Sequence, residues 1–139
     1  MKVFRLKGRV LVGSVEGLEG EALVSQNPIS FYGGVDVERG VIVERGHSLE
    51  GQAIAGKILV FPHGKGSTVG SYSLYALARR RLAPKVILNR EAEPVVASGC
   101  VFAGIPLMDM FNVDPVRVLQ TGDRLKFYGD GTVEVYREN

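Results

Sequence analysis

The sequence predicts an α+β domain, rich in short strands and organised around one main helix. Three observations carry that expectation. Short runs of β-branched and aromatic residues recur along the 139-residue chain. Glycine is about 13% of the residues, 18 in all, against a typical share of ~7%, so tight turns close those runs. Only the stretch 67–81 carries a helical period.

Arg9-Val10-Leu11-Val12-Gly13 and Glu21-Ala22-Leu23-Val24-Ser25 read as strands joined by a hairpin or loop through Gly17 and Gly20. After Asn27-Pro28, the pair Gly33-Gly34 marks a bend within Ile29–Asp36, because glycine reaches backbone angles that a Cβ resists. Val41-Ile42-Val43 and Lys57-Ile58-Leu59-Val60-Phe61 are apolar without alternation, the pattern of strands covered on both faces. The second of these is expected at the centre of the sheet.

The helix expected from Ser67 to about Arg81 has Ser67 or Thr68 to cap its first turn and an apolar stripe through Tyr72, Tyr75, Ala76, Leu77 and Ala78. Arg79, Arg80 and Arg81 fall where the helix dipole favours cations, and Pro84 stops the run. Val86-Ile87-Leu88-Asn89 follows as a buried strand, so residues 57–89 form a strand–helix–strand crossover, expected to be parallel and right-handed. Pro94–Ala97 and Cys100–Ala103 read as further strands, Ile105-Pro106-Leu107 as a turn or edge, and Asp114-Pro115 as the start of a loop. At the end, two alternating runs flank Gly129-Asp130-Gly131, a strong hairpin signal. Without repeats, heptads or a dividing linker, residues 1–139 are expected to form a single domain.

Charge and composition exclude several function classes. With 17 Lys and Arg against 15 Asp and Glu, the chain gives little electrostatic reason to bind nucleic acid, and the Arg79–Arg81 run is too short to change that. No apolar run approaches the ~20 residues of a membrane span, and the charged start Met1–Gly8 lacks the apolar stretch of a signal peptide. Neither nucleic acid nor membrane is therefore an expected partner. Cys100 stands alone, which excludes an internal disulfide and a thiolate-built zinc site and points to a reducing, cytoplasmic setting. The two histidines, His47 and His63, have no metal-ligand spacing, so no metal site is expected on this chain.

Chemistry is concentrated in Phe61-Pro62-His63-Gly64-Lys65-Gly66-Ser67-Thr68-Val69-Gly70-Ser71, between a buried strand and the helix. In open α/β sheets ligands gather beyond the carboxyl ends of strands, and a helix N-terminus there offers N–H groups and partial positive charge. Gly64 and Gly66 let the backbone approach an anion closely, and Lys65 adds a full charge. The stretch is not a nucleotide P-loop: Gly66 follows Gly64-Lys65 where Ser or Thr is required, and Leu59 occupies the place of the first glycine. From spacing alone the more frequent reading is that Ser67 merely caps the helix and the glycines merely turn the chain, so spacing does not by itself prove a site. Asp36, after Gly33-Gly34, has two readings as well, a ligand-orienting carboxylate or an Asx-turn former. Cys100, amid valines and Phe102, reads as a small buried hydrophobe, and Asp109 and Asp114 lack a paired carboxylate for acid–base work.

Three stretches in order, Asn27-Pro28-Ile29-Ser30-Phe31-Tyr32-Gly33-Gly34-Val35-Asp36, His63–Tyr72 and Ala103-Gly104-Ile105-Pro106-Leu107, make the chain resemble the aconitase X swivel domain family along almost its whole length. The resemblance implies a swivelling β/β/α domain. It runs most closely to the family's stand-alone archaeal small subunits, which implies a hydro-lyase converting (R)-5-phosphomevalonate to trans-anhydromevalonate 5-phosphate in a mevalonate route to isoprenoids. It also implies a larger aconitase X-type subunit as partner, carrying the 4Fe-4S cluster that a chain with one cysteine cannot hold. The family's Gly-x-Gly-Ser stretch falls on Gly64-Lys65-Gly66-Ser67, implying Ser67 as proton acceptor, with Ser71 the rival serine. Gly64, Lys65, Gly66, Thr68, Gly33, Gly34 and Asp36 are the expected substrate-binding residues. Two alternatives stay open at this point: a small subunit dehydrating cis-3-hydroxy-L-proline, and a non-catalytic domain that binds an anion or a partner.

Overall fold

The computed structural model describes residues 1–139. In chain order its elements are β1 (Lys2–Lys7), β2 (Arg9–Val12), β3 (Glu19–Val24), α1 (Phe31–Gly34), β4 (Val35–Asp36), β5 (Val41–Ile42), β6 (Ile58–Val60), α2 (Gly70–Arg79), β7 (Val86–Leu88), α3 (Pro94–Ala103), β8 (Leu107–Asp109), α4 (Pro115–Val118), β9 (Arg124–Phe127) and β10 (Thr132–Arg137). Eight strands form one sheet in the order β1-β10-β9-β3-β6-β7-β8-β2, and β4 pairs with β5 apart from it.

Four neighbours, β3, β6, β7 and β8, run parallel, with Ile58 opposite Ala22 on one side and Val86 on the other. The expected crossover over 57–89 is therefore present, and β6 lies between two parallel neighbours. The unbroken apolar character of these strands has a direct cause. Leu59, Ile87 and Leu107 point into a core shared with Leu74 and Leu77 of α2 and with Val96 and Cys100 of α3. Ile58, Val60, Val86, Leu88 and Met108 point to the opposite face, where β1, β9 and β10 curl over and supply Leu6, Leu125, Phe127, Val133 and Val135. Helices thus cover one face and strands the other, the β/β/α layering that the resemblance implies.

The C-terminal hairpin is formed as expected: Val133 pairs with Phe127 and Tyr136 with Arg124, and Gly131 turns the chain at φ +91°. β2 and β3 are joined by a loop and do not pair, since β2 lies against β8 and β3 between β9 and β6. The bend at Gly33 is real, with φ +89° interrupting α1.

Val41–Val43 is not covered on both faces, since Val41 is half-buried and Val43 exposed, and Asp114-Pro115 opens α4 with Asp114 as its cap instead of a loop. Two expectations about the longer helices also give way to the structure. The segments Pro94–Ala97 and Cys100–Ala103 are not strands but the two halves of α3. The Glu93 carboxylate accepts hydrogen bonds from Val95 N and Val96 N, Pro94 occupies the first turn, and Gly104 ends the helix at φ +70°. Packing on α2 overrides the β-preference of the valines. Gly99 permits it, because a Cβ there would stand 2.6 Å from Leu74 Cδ1 and 3.1 Å from Ser71 Cα. Second, the main helix begins at Gly70, not Ser67, and its N-cap position, Val69, has no side-chain cap.

Candidate functional site

The loops that leave β3, β6 and β7 at their carboxyl ends are stitched together by backbone hydrogen bonds. Ser25 N donates to Val60 O, Phe61 N to Leu88 O and Arg90 N to Pro62 O. Further out, Ile29 N donates to His63 O and Lys65 N to Ile29 O, forming a short parallel bridge at Ile29 and Gly64. The Phe31 and Phe61 rings meet edge to face at 5.8 Å beneath this junction. Asn89, fully buried at the end of β7, donates from Nδ2 to Phe61 O. The expected site residues Gly33, Gly34 and Gly64–Thr68 thus stand on two of these three connected loops, those after β3 and β6, at the carboxyl edge of the parallel strands, where ligands of such sheets gather.

Close approach explains both loop glycines. A Cβ on Gly64 would lie 2.5 Å from Glu93 Oε1 and 2.5 Å from Val96 Cγ2, so this glycine is the surface on which the first turn of α3 rests. Gly66 has φ +89°, and a Cβ there would stand 2.6 Å from Ser30 Oγ.

Beyond Gly66 the chain turns tightly into α2. Gly70, Ser71 and Tyr72 N–H donate to the carbonyls of Ser67, Thr68 and Val69. The first-turn amides of α2 are therefore already occupied. The backbone N–H groups of Gly66, Ser67 and Thr68 instead make no hydrogen bond within the chain, which leaves three consecutive donors unpaired beside the positive-φ Gly66. Ser67 is exposed, and its Oγ accepts a 3.1 Å hydrogen bond from Val69 N. An N–H directed at a hydroxyl oxygen favours its ionised form. Ser71, the rival, is buried and its hydroxyl donates to Thr68 O at 3.0 Å. Of the two serines, Ser67 is the accessible one.

An open cavity of about 410 Å³ adjoins the loop, lined by Ser30, Tyr32, Gly33, Gly34, Glu44, Lys65 and Gly66. Four of the expected residues therefore meet in one place. Lys65 Nζ donates to Glu44 Oε2 at 2.9 Å, across its mouth. Gly64, Ser67 and Thr68 do not line this cavity, and neither does Asp36. Its Oδ1 accepts from Glu38 N and Arg39 N and its Oδ2 from Arg39 Nε at 2.7 Å, and the Arg39 hydrogen bond holds its carboxyl below the usual range. It is a turn former, as one of its two sequence readings has it. Ser30, Tyr32 and Glu44 were not singled out by sequence. The first two lie inside the Asn27–Asp36 stretch that carries the resemblance, whereas Glu44 has no local signal.

Other titratable groups have structural roles. His47 is buried, with Nε2 2.9 Å from Pro28 O and Nδ1 accepting from Leu49 N. Asp109, fully buried, takes both side-chain bonds of Arg9 and the Ala92 N–H. No group of three or more His, Cys, Asp or Glu is placed to hold a metal ion. A 4Fe-4S cluster needs several thiolates, and here the one thiol, Cys100, is buried and pushed up to about 12 by that burial. This chain's residues do not fit such a group. No helix is long and apolar enough to cross a membrane.

Comparison with known proteins gives a consistent result. The family model described as the aconitase X swivel domain matches residues 5–135. A phosphomevalonate dehydratase small subunit of Methanosarcina mazei is 48% identical over 135 residues, covering 96% of this chain and 92% of the relative. The protein of the same description from Thermococcus onnurineus is 49% identical over 132 residues, covering 94% and 98%. Among solved structures, the crystal structure of Thermococcus kodakaraensis aconitase X in its holo-form superposes with a TM-score of 0.87 at 48% identity, covering 96% of this chain and 98% of that one.

Proposed function

The chain belongs to the aconitase X swivel domain family, and from that premise we propose that it is the small subunit of a phosphomevalonate dehydratase with Ser67 as proton acceptor. The reaction is loss of water from (R)-5-phosphomevalonate to give trans-anhydromevalonate 5-phosphate. What carries the reading is near-half identity, sustained over almost the full length of both chains, to small subunits of that description.

The chemistry asks for a base at the carbon next to the substrate carboxylate. Ser67 Oγ, as its alkoxide, takes that proton, the C–H electrons become the new double bond, and the hydroxyl on the neighbouring carbon leaves with the C–O electrons, becoming water as it takes up a proton from an acid on the larger subunit's side. A serine hydroxyl is a weak base unless its ionised form is stabilised. Two features supply help: the Val69 N–H aimed at Oγ, and the position of Ser67 beside the N-terminus of a ten-residue helix. The free amides of Gly66, Ser67 and Thr68, with Lys65 nearby, hold an anionic end of the substrate, its carboxylate or its phosphate. An anion at that end competes with Glu44 for Lys65. The departing hydroxyl is left to the larger subunit, to which we also assign the 4Fe-4S cluster, since this chain has no set of thiolates for it.

Reconstitution tests the reading. The chain is mixed with the larger subunit, and product mass is followed with (R)-5-phosphomevalonate and, in parallel, with cis-3-hydroxy-L-proline. Loss of one water from the phosphorylated acid alone is expected. Dehydration of the proline derivative alone would reassign the substrate, and turnover of neither by an assembled, cluster-loaded complex would refute the dehydratase reading.

A further inference from the structure

We propose that the outer face of the α2–α3 helix pair, formed by Tyr72, Tyr75, Val101 and Phe102, is where the larger subunit docks. The docking surface of that subunit is apolar and edged by carboxylates that meet Arg79, Arg80 and Arg81. This inference rests on the small-subunit reading above.

The inner faces of the two helices are fully engaged by Leu74, Leu77, Val96 and Cys100 in the sheet-facing core. Their outer faces nevertheless remain apolar. Tyr72 is 68% exposed, Tyr75 43%, Val101 64% and Phe102 62%. The three aromatic rings line one shallow cleft of about 230 Å³. A helix that covers one face of a lone domain ordinarily turns charged residues to water; here residues 94–108, which include all of α3, contain no charged residue. Aromatic enrichment with depleted charge is the signature of the centre of a protein interface.

Charge selects the occupant. Arg79, Arg80 and Arg81 stand at the end of α2, and none forms an ion pair within the chain. Neither helix carries an Asp or Glu, and no acidic residue occurs anywhere from 51 to 90. A second copy seated on this face would therefore bring no helix carboxylate to the arginines. A partner with an acidic rim satisfies them and is steered toward the face as it approaches. The relatives matched by this chain are small subunits, which implies a larger companion for them. The patch is also continuous with the candidate site, because Val69, 41% exposed, and Tyr72 directly follow the Ser67 loop. A partner seated here reaches the open side of that loop.

The test measures association of the full chain with the larger subunit by calorimetry, for wild type, for Tyr72→Glu with Phe102→Glu, and for the control Val3→Glu on β1. A gentler pair, Tyr72→Ser with Phe102→Ser, accompanies them, and unchanged melting of the free variants verifies folding. The expected result is that wild type and Val3→Glu bind alike while the helix-face pairs weaken Kd by about 100-fold or more. Replacing Arg79, Arg80 and Arg81 by Ser slows association about tenfold at low salt, with a flatter salt dependence. In the wild-type complex, Tyr72, Tyr75 and Phe102 become protected from hydroxyl-radical labelling. Undiminished binding by the helix-face pairs, or unprotected rings in the complex, overturns the docking face and leaves the subunit reading standing. Failure of wild type to bind overturns both. A wild-type homodimer dissolved by the same substitutions, or pelleting of the chain with phosphatidylglycerol vesicles, assigns the face to another occupant and overturns the proposal.

Discussion

Gly64→Ala probes the contact on which the site loop rests. The new methyl would stand 2.5 Å from Glu93 Oε1 and 2.5 Å from Val96 Cγ2, so the cap of α3, a buried valine, or both must move. Overpacking of this kind costs about 1–3 kcal/mol, and loss of an N-cap costs about 1 kcal/mol. The reduced freedom of the unfolded chain returns about 0.4–1 kcal/mol, because Gly64 does not have a positive φ. The net expectation is destabilisation by about 2–3 kcal/mol. At ~3 °C per kcal/mol for a chain of this length, melting falls by about 6–9 °C. A double-mutant cycle in urea isolates the cause. Glu93→Ala alone loses the cap, about 1 kcal/mol, and in that background Gly64→Ala has one clash fewer, so the pair falls short of additivity by about 1 kcal/mol. If the two changes add within about 0.3 kcal/mol, or if Gly64→Ala is neutral, the proposed support of the loop by α3 is refuted.

Two further outcomes follow from particular bonds. Burial raises the Asp123 carboxyl, but paired hydrogen bonds from Arg137 and one from Gln120 N more than offset it, so its pKa is lowered in the fold. A depressed folded pKa gives stability that is present above the unfolded aspartate value of ~3.9 and is lost as pH falls through the folded one. Urea midpoints at pH 7 and at about pH 3 therefore differ less for Asp123→Asn than for wild type; an equal difference would contradict the assignment. Val69→Pro removes the N–H that Ser67 Oγ accepts, while Val69 already has φ −61°, which proline adopts. In the reconstituted enzyme kcat is expected to fall by about 100-fold with KM little changed; unaltered kcat would show that this N–H does not stabilise the ionised serine.

The centre of the fold was legible because its cause is local and doubled. Ile58–Phe61 and Val86–Leu88 are continuously apolar since helices cover one face and curled strands the other, with Gly56 and Pro62 flanking the first and Pro84 preceding the second. The α3 segment misleads because Val95, Val96, Val101 and Phe102 prefer strands in isolation, and no charged residue marks a period. Its signals were at the ends, Glu93-Pro94 before and Gly104 after. β1 was hidden for the opposite reason: its alternating charges suit a strand paired at the sheet edge with β10, and that partner lies at the other end of the chain. At the site, Gly64, Gly66 and Ser67 were readable from a glycine-rich strand-to-helix passage. Glu44 was not, because its contact with Lys65 spans 21 residues and depends on the turn at Gly33. The Ser67 hydroxyl, expected to cap α2, instead engages Val69 N one turn earlier.

The most direct test of the catalytic assignment is Ser67→Ala in the enzyme reconstituted with its larger subunit, with substrate affinity, melting and turnover measured on one preparation. Because Ser67 is exposed and its side chain makes only the Val69 hydrogen bond, assembly and melting should match wild type while water loss from (R)-5-phosphomevalonate becomes nearly undetectable. Turnover at a rate close to wild type would contradict the account, for some other group would then be removing the proton.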